Sequence, residues 1–280
     1  MPVYTGGHGN PRAKRFLFVD AGSLEDAIKE FSTRYFSGIE LPIKLSALKS
    51  GLGEFFDRIF YYDAIHTQRS DETGEVYTAR TAAKRELLAN LAETDGFDVF
   101  EGDVRRQRPE RPGQKKVDVA IAVDMLTNTF RETMDESALL TSDLDFEPLL
   151  RALAQQGMSV TLYHQKKATR ELRRAALARR LLGPRLLWGL LTDEFCRANP
   201  VPYRTQTITF MPVGTKLEQW DGECGTDHHA LYATGEGFAI VDWQDGPHPY
   251  NVTQGRDRMR LILFCEDEFG LKVPDNISRS

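Results

Sequence analysis

No stretch of this 280-residue sequence approaches the roughly 18 consecutive apolar residues that a membrane-crossing helix needs. Its opening residues, Met-Pro-Val-Tyr-Thr-Gly-Gly-His-Gly-Asn, lack the apolar centre of a secretory signal. Cysteine is scarce: Cys196, Cys224 and Cys265 are odd in number and far apart, which argues against a disulfide framework. Together these absences point to a cytoplasmic chain with no membrane partner. There is no internal repeat and no low-complexity tract. An excess of positive charge is also missing, since the formal net charge is −5.

The net charge hides an uneven distribution. Residues 199–280 hold 12 acidic and 7 basic side chains, while the 29 acidic and 29 basic residues before them cancel. Within that neutral part the basic residues are clumped. Arg105, Arg106, Arg108, Arg111, Lys115 and Lys116 crowd one loop with only Glu110 against them. Lys166, Lys167, Arg170, Arg173, Arg174, Arg179, Arg180 and Arg185 crowd a second stretch with only Glu171. Local field, not net charge, governs binding to a polyanion.

With 41% apolar and 28% charged residues, the chain has ample material for a core in one or two domains. Residues 16–19, Phe-Leu-Phe-Val, read as a buried strand ending at Asp20. Helical spacing follows in Leu24, Ala27, Ile28, Phe31 and Tyr35. Further strands are predicted at 55–65, 97–100, 137–141 and 159–163, with helices at 78–92, 117–130 and 146–156 between them. This alternation predicts an α/β fold, a parallel sheet flanked by helices. Residues 166–182 read as one basic helix with an apolar stripe through Leu172, Ala176, Leu177 and Leu181. After Pro200-Val201-Pro202 the texture changes to short apolar runs at 207–210, 230–232, 238–241 and 261–264, predicting a small, mostly β, acidic domain. The expected division is a flexible tail at 1–14, an α/β domain at 15–198 and the β domain at 199–280.

The candidate chemistry sits where these elements end. Asp20 closes the first strand, and Asp143 and Asp145 follow the fourth in Thr-Ser-Asp-Leu-Asp-Phe. Asp118 opens the helix of Lys-Lys-Val-Asp-Val-Ala-Ile-Ala-Val-Asp. If strands one and four are neighbours, four carboxylates converge, raise one another's pKa and call for a cation among them. Oxygen donors without His or Cys select Mg²⁺ or Mn²⁺. On a phosphodiester such an ion polarises the phosphoryl group and lowers the pKa of a bound water. Each aspartate also has a structural reading. Asp145 fits an N-cap of the helix opening at Phe146, and Asp118 fits a partner for a helix dipole.

The strings Phe-Val-Asp-Ala-Gly-Ser-Leu (18–24), Tyr-Tyr-Asp-Ala (61–64), Lys-Lys-Val-Asp-Val-Ala-Ile-Ala-Val-Asp-Met-Leu (115–126) and Leu-Leu-Thr-Ser-Asp-Leu-Asp-Phe-Glu-Pro-Leu (139–149) resemble the NYN-domain family of the PIN-like nucleases. The resemblance covers about residues 15–165. It implies a PIN-like (Rossmannoid) sheet and divalent-metal-dependent RNA cleavage, with metal ligation by Asp20, Asp118, Asp143 and Asp145. The sequence departs from the family at Ser23, where Asn is usual, and at Ala21 and Ser142, where Gly is frequent.

Around this centre, Ser23 and Thr141 or Ser142 are expected to position phosphate or carboxylate. Asp124, six residues after Asp118 and on another helix face, is expected to be a buried group with a partner or one that orients the site. Arg105, Arg106, Arg108, Lys115, Lys116, Lys166, Lys167, Arg170, Arg173 and Arg174 are the candidate RNA contacts. The first cluster also reads as a solvated flexible loop, and the second as a docking helix with a cationic outer surface. His66 follows the second strand and could donate a proton, though a loop histidine is ordinarily unremarkable. Tyr61 and Tyr62 are expected to split between core and surface. Cys224, His228 and His229 lack the second cysteine that a zinc site needs. Gly6-Gly7-His8-Gly9 precedes a strand, so it is no phosphate loop.

The function expected is a metal-dependent endoribonuclease using a metal-activated water, with Mg²⁺ or Mn²⁺ as cofactor and RNA as partner. The alternatives are a non-catalytic RNA- or protein-binding regulator on the same fold, or a metal-dependent DNase or phosphatase. The acidic C-terminal domain reads as a poor RNA clamp; covering the site, binding a protein partner and forming a homo-oligomer are its open roles.

Overall fold

Phe16, Leu17, Phe18 and Val19 offer no polar face to water, and the strand they form, β1 (Arg15–Asp20), is buried from Phe16 onward. Parallel sheets covered on both sides demand such runs. In the computed structural model, which describes residues 13–65, 71–103, 114–207, 214–222, 225–246 and 248–278, β1 is followed by α1 (Ala21–Phe36), β2 (Arg58–Ile65), α2 (Gly74–Ala92), β3 (Phe97–Asp103), α3 (Gln114–Phe130), β4 (Glu136–Leu140), α4 (Glu147–Gln155), β5 (Ser159–His164), α5 (Arg170–Ala175) and β6 (Ala178–Leu181). The six strands run parallel in the order β3-β2-β1-β4-β5-β6.

Strand β1 lies between β2 and β4, in register with both: Phe18 faces Phe60 on one side and Leu139 on the other. The Phe18 and Phe60 rings stack at 4.7 Å. From α3, Val117, Ile121 and Met125 join Leu149 and Leu153 of α4 and Leu172 of α5 on the sheet face that carries Phe18, Tyr62 and Leu139. Helix α2 packs on β2 and β3 and buries Leu88 and Leu91. The chain leaves β1 toward β2 but leaves β4 toward β5, in the opposite direction across the sheet. The gap between the carboxyl ends of β1 and β4 is therefore a topological switch point, where open α/β sheets bind ligands.

Two sequence expectations are corrected. Residues 166–182 are not one helix. Thr169 caps α5, its hydroxyl accepting the Leu172 amide, and the chain turns extended at Ala176. It then adds β6 to the sheet, with Thr161–His164 opposite Ala178–Leu181. Backbone pairing to an open strand edge outweighs the helical spacing, and Leu177, placed on the apolar stripe by that spacing, is 77% exposed. Residues 261–264 are not a strand but the middle of α8 (Arg258–Phe269).

By contact the chain divides into two compact units: Met1–Ile28 with Leu45–Leu182, and Lys29–Lys44 with Gly183–Ser280. Residues 183–198, read from the sequence as the end of the first domain, fall in the second unit. There α6 (Pro184–Trp188) and α7 (Asp193–Ala198) precede an antiparallel sheet of β7 (Tyr203–Thr207), β8 (Thr215–Asp221), β9 (Asp227–Thr234), β10 (Gly237–Gln244) and β11 (Tyr250–Gly255), in the order β7-β11-β10-β9-β8. Helix α8 follows, then α9 (Asp275–Ser278). Trp220, Leu231 and Ile240 of the sheet pack with Leu261, Ile262 and Cys265 of α8. The tail expected at 1–14 lies almost wholly outside the described residues. Among the described residues no helix is long and apolar enough to cross a membrane.

Candidate active site

Asp20 is the last residue of β1 and only 7% exposed. Its carboxylate turns back onto the start of α1. Oδ1 accepts the Gly22 and Ser23 amides at 3.1 and 3.4 Å. Oδ2 accepts the hydroxyls of Ser23 at 2.7 Å and Thr141 at 2.9 Å. Four donors and the positive end of a helix hold this carboxylate in one orientation.

The segment after β4 is built around the same point. Thr141 is fully buried, and its Oγ1 accepts the Asp143 amide at 3.2 Å. The Ser142 amide donates to Ser23 Oγ at 3.0 Å. Asp143 caps the short turn Leu144–Phe146, its Oδ1 accepting the Asp145 amide at 3.0 Å. The capping role foreseen for Asp145 thus belongs to Asp143, and Asp145 lies in the first turn. Gln165, the residue after β5, was not singled out by the sequence. Its backbone amide donates to Ser142 Oγ at 3.0 Å and its Nε2 to the Ser23 carbonyl at 2.8 Å. The only available signal was its place at the carboxyl edge of the fifth strand.

Asp118 reaches this edge from α3. Gly102 of β3 permits the approach: a Cβ there would lie 2.8 Å from Val117 Cγ2, closer than carbon atoms pack. Burial, followed by the charges of Asp20, Asp143 and Asp145, raises the Asp118 pKa from its ordinary value to about 6. Asp118 thus lies within the field of the other three carboxylates. Among the described residues no Lys or Arg is ion-paired with any of them. Their donor chemistry fits a hard divalent cation. Yet among the described residues no group of three or more His, Cys, Asp or Glu is arranged to hold a metal ion. The three carboxylates act on Asp118 without forming a closed coordination shell with it.

Asp124 finds its partner elsewhere: Tyr62 Oη donates to its Oδ2 at 2.8 Å. Tyr61 and Tyr62 do not split between core and surface, being 2% and 1% exposed. Successive residues of a strand face opposite sides, and both sides of β2 are covered. Asp63, also buried, accepts from Lys84 at 2.8 Å.

Of the candidate RNA contacts, Lys166, Lys167, Arg170 and Arg174 are exposed and Arg173 is half-buried. Lys167 pairs with Asp26 at 3.0 Å. They begin directly after Gln165 and so extend from the site's edge. The expectations for Arg105, Arg106 and Arg108, for His66, and for Gly6-Gly7-His8-Gly9 lie outside the described residues, as do the side chains of Lys115 and Lys116. Cys224 also lies outside them. His228 is held by Asp221 at 2.7 Å and Asp245 at 3.0 Å, and His229 by Asp242 at 3.2 Å.

No curated protein matches the chain. A solved structure of a protein of unknown function from Vibrio parahaemolyticus matches it with a TM-score of 0.45 and 14% identity, over 66% of this chain and 100% of that one. The family model of the NYN domain matches residues 45–179. That span contains Asp118, Thr141, Asp143, Asp145 and Gln165, and starts downstream of Asp20 and Ser23. Residues 45–179, just under half of the chain, thus match the NYN domain.

Proposed function

We propose that the chain is a metal-dependent endoribonuclease acting at the carboxyl edge of its parallel sheet. The observation that carries this reading is the meeting of Asp20, Asp118 and the 141–145 segment, from three separate elements, at the switch point between β1 and β4. The NYN domain supports a nuclease-like fold. Asp20, Asp118, Asp143 and Asp145 would hold Mg²⁺ or Mn²⁺, which when bound supplies Lewis-acid polarisation of the phosphodiester and an acidified water.

The chain's own residues do the rest. Ser23 and Thr141 fix the Asp20 carboxylate. The Ser142 hydroxyl, which accepts the Gln165 amide, keeps a proton to donate. Lys166, Lys167, Arg170, Arg173 and Arg174 hold the phosphate backbone without reading its sequence. A cytoplasmic location agrees with the few, widely spaced cysteines.

The test of substrate class is incubation of the full chain with labelled RNA, single-stranded DNA and a phosphomonoester, each with Mn²⁺, with Mg²⁺ and with EDTA. The reading expects internal cuts in RNA only, and only with metal. Cleavage of DNA or of the monoester at an equal rate would replace it by the DNase or phosphatase alternative.

One observation favours a non-catalytic regulator: Asp20 already spends both carboxylate oxygens on four donors. That reading expects RNA affinity unchanged by EDTA and a melting temperature unmoved by Mn²⁺.

A further inference from the structure

Three segments meet at the switch point, and the bonds between them form a ring. Asp20 is bonded by Ser23 and by Thr141. Ser142 donates its amide to Ser23 Oγ. The Gln165 amide donates to Ser142 Oγ, and its side-chain nitrogen donates to the Ser23 carbonyl. This last bond ties the end of β5 directly to α1 and closes the ring.

Gln165 is 3% exposed, and its Oε1 has no hydrogen-bond donor among the described residues. A buried acceptor without a donor is a desolvation cost that an apolar side chain of the same size would not carry. Packing alone would be served by leucine. What the amide adds is one donor, aimed at the residue whose hydroxyl holds Asp20.

We infer that Gln165 is a positioning residue of the aspartate site, clasping Ser23 so that Ser23 holds Asp20. It acts through Ser23 and does not touch a reacting atom. Its role in cleavage rests on the ribonuclease reading above, whereas the clasp itself does not.

The variants are Gln165→Leu, which keeps the volume and removes the donor, and Gln165→Glu, which keeps the shape and sets an acceptor against the Ser23 carbonyl. Both leave the backbone amide to bond Ser142. Amide hydrogen exchange of the full chain, followed by NMR without metal, reads the clasp directly. The Ser142 amide, which ends on Ser23 Oγ, is expected to exchange about tenfold faster in both variants, while that of Leu153 in the core is unchanged. In the Mn²⁺ cleavage assay both variants are expected to lose about ten- to a hundredfold in kcat with little change in KM. Gln165→Leu is expected to melt at or above the wild-type temperature.

Unchanged Ser142 exchange in both variants would overturn the inference, as would a kcat loss that merely follows a lowered melting point. Faster exchange in a chain whose wild type cuts no RNA would leave the clasp standing and remove the nuclease reading.

Discussion

At the residue scale, Asp118 records the site's electrostatics most plainly. Its folded-state pKa, about 6, lies above the ordinary carboxylate value because burial and three neighbouring carboxylates oppose its charge. A raised carboxyl binds its proton more tightly when folded. Its stabilising contribution is thus fully present below the unfolded value, about 4, and is lost as pH rises through 6. Asp118→Asn is therefore expected to raise the melting temperature at pH 7.5 and to lose that advantage near pH 4. Melts at the two pH values check this, and a variant less stable than wild type at pH 7.5 would contradict it. Because that proton competes with a bound cation, the Mn²⁺ concentration needed for half-maximal cleavage is expected to rise as pH drops below about 6. Asp20, Asp143 and Asp145 stand out in the sequence because they end or follow a clear strand, whereas Asp118, expected to open its helix, lies in the second turn of α3. Gln165 does not stand out, since an amide after a strand carries no spacing or charge signal. The link between Tyr62 and Asp124 was equally hidden, because it joins two elements remote in the chain.

At the element scale, the helix that brings in Asp118 depends on a missing side chain. Gly102→Ala would drive a methyl into the stiff Val117, and overpacking of this kind costs about 1–3 kcal/mol. Urea unfolding is expected to show that loss, with metal-dependent activity falling further than stability alone explains. The α8 segment shows why 261–264 read as a strand: four consecutive apolar residues carry no period of their own. The signals that decide are at its ends. Asp257 accepts the Arg260 amide at 2.8 Å, and Gly270 closes the helix in the left-handed region at φ 69°. Asp257→Ala is expected to cost about 1 kcal/mol, read as a lowered denaturant midpoint. In 166–182 the misleading signal was the reverse, a helical stripe in a segment that finds a strand partner in β5. Non-local pairing of this sort is invisible in a local period.

At the scale of the whole molecule, alternating strands and helices followed by short strands made the α/β sheet and the separate antiparallel sheet readable in outline. The sixth parallel strand and the division of the chain through α1 were not, because both depend on partners distant in sequence. The uneven charge is the sequence feature that points to the basic segment after β5 as the proposed RNA contact. Replacing Lys166 and Arg170 together by Gln is expected to weaken RNA binding uniformly across sequences. It should also reduce the slope of log affinity against log salt by about 2, one for each phosphate that is no longer neutralised. An unchanged slope would place the RNA elsewhere. The central claim is that carboxylates from separate elements act together on a divalent cation to cut RNA. The most direct measurement is the single-turnover rate of RNA cleavage with Mn²⁺ for wild type, Asp20→Asn and Asp143→Asn, each shown by circular dichroism to fold alike. Loss of cleavage in both variants by a factor of about 10² or more is the result expected. Wild-type rates in either folded variant would contradict the account.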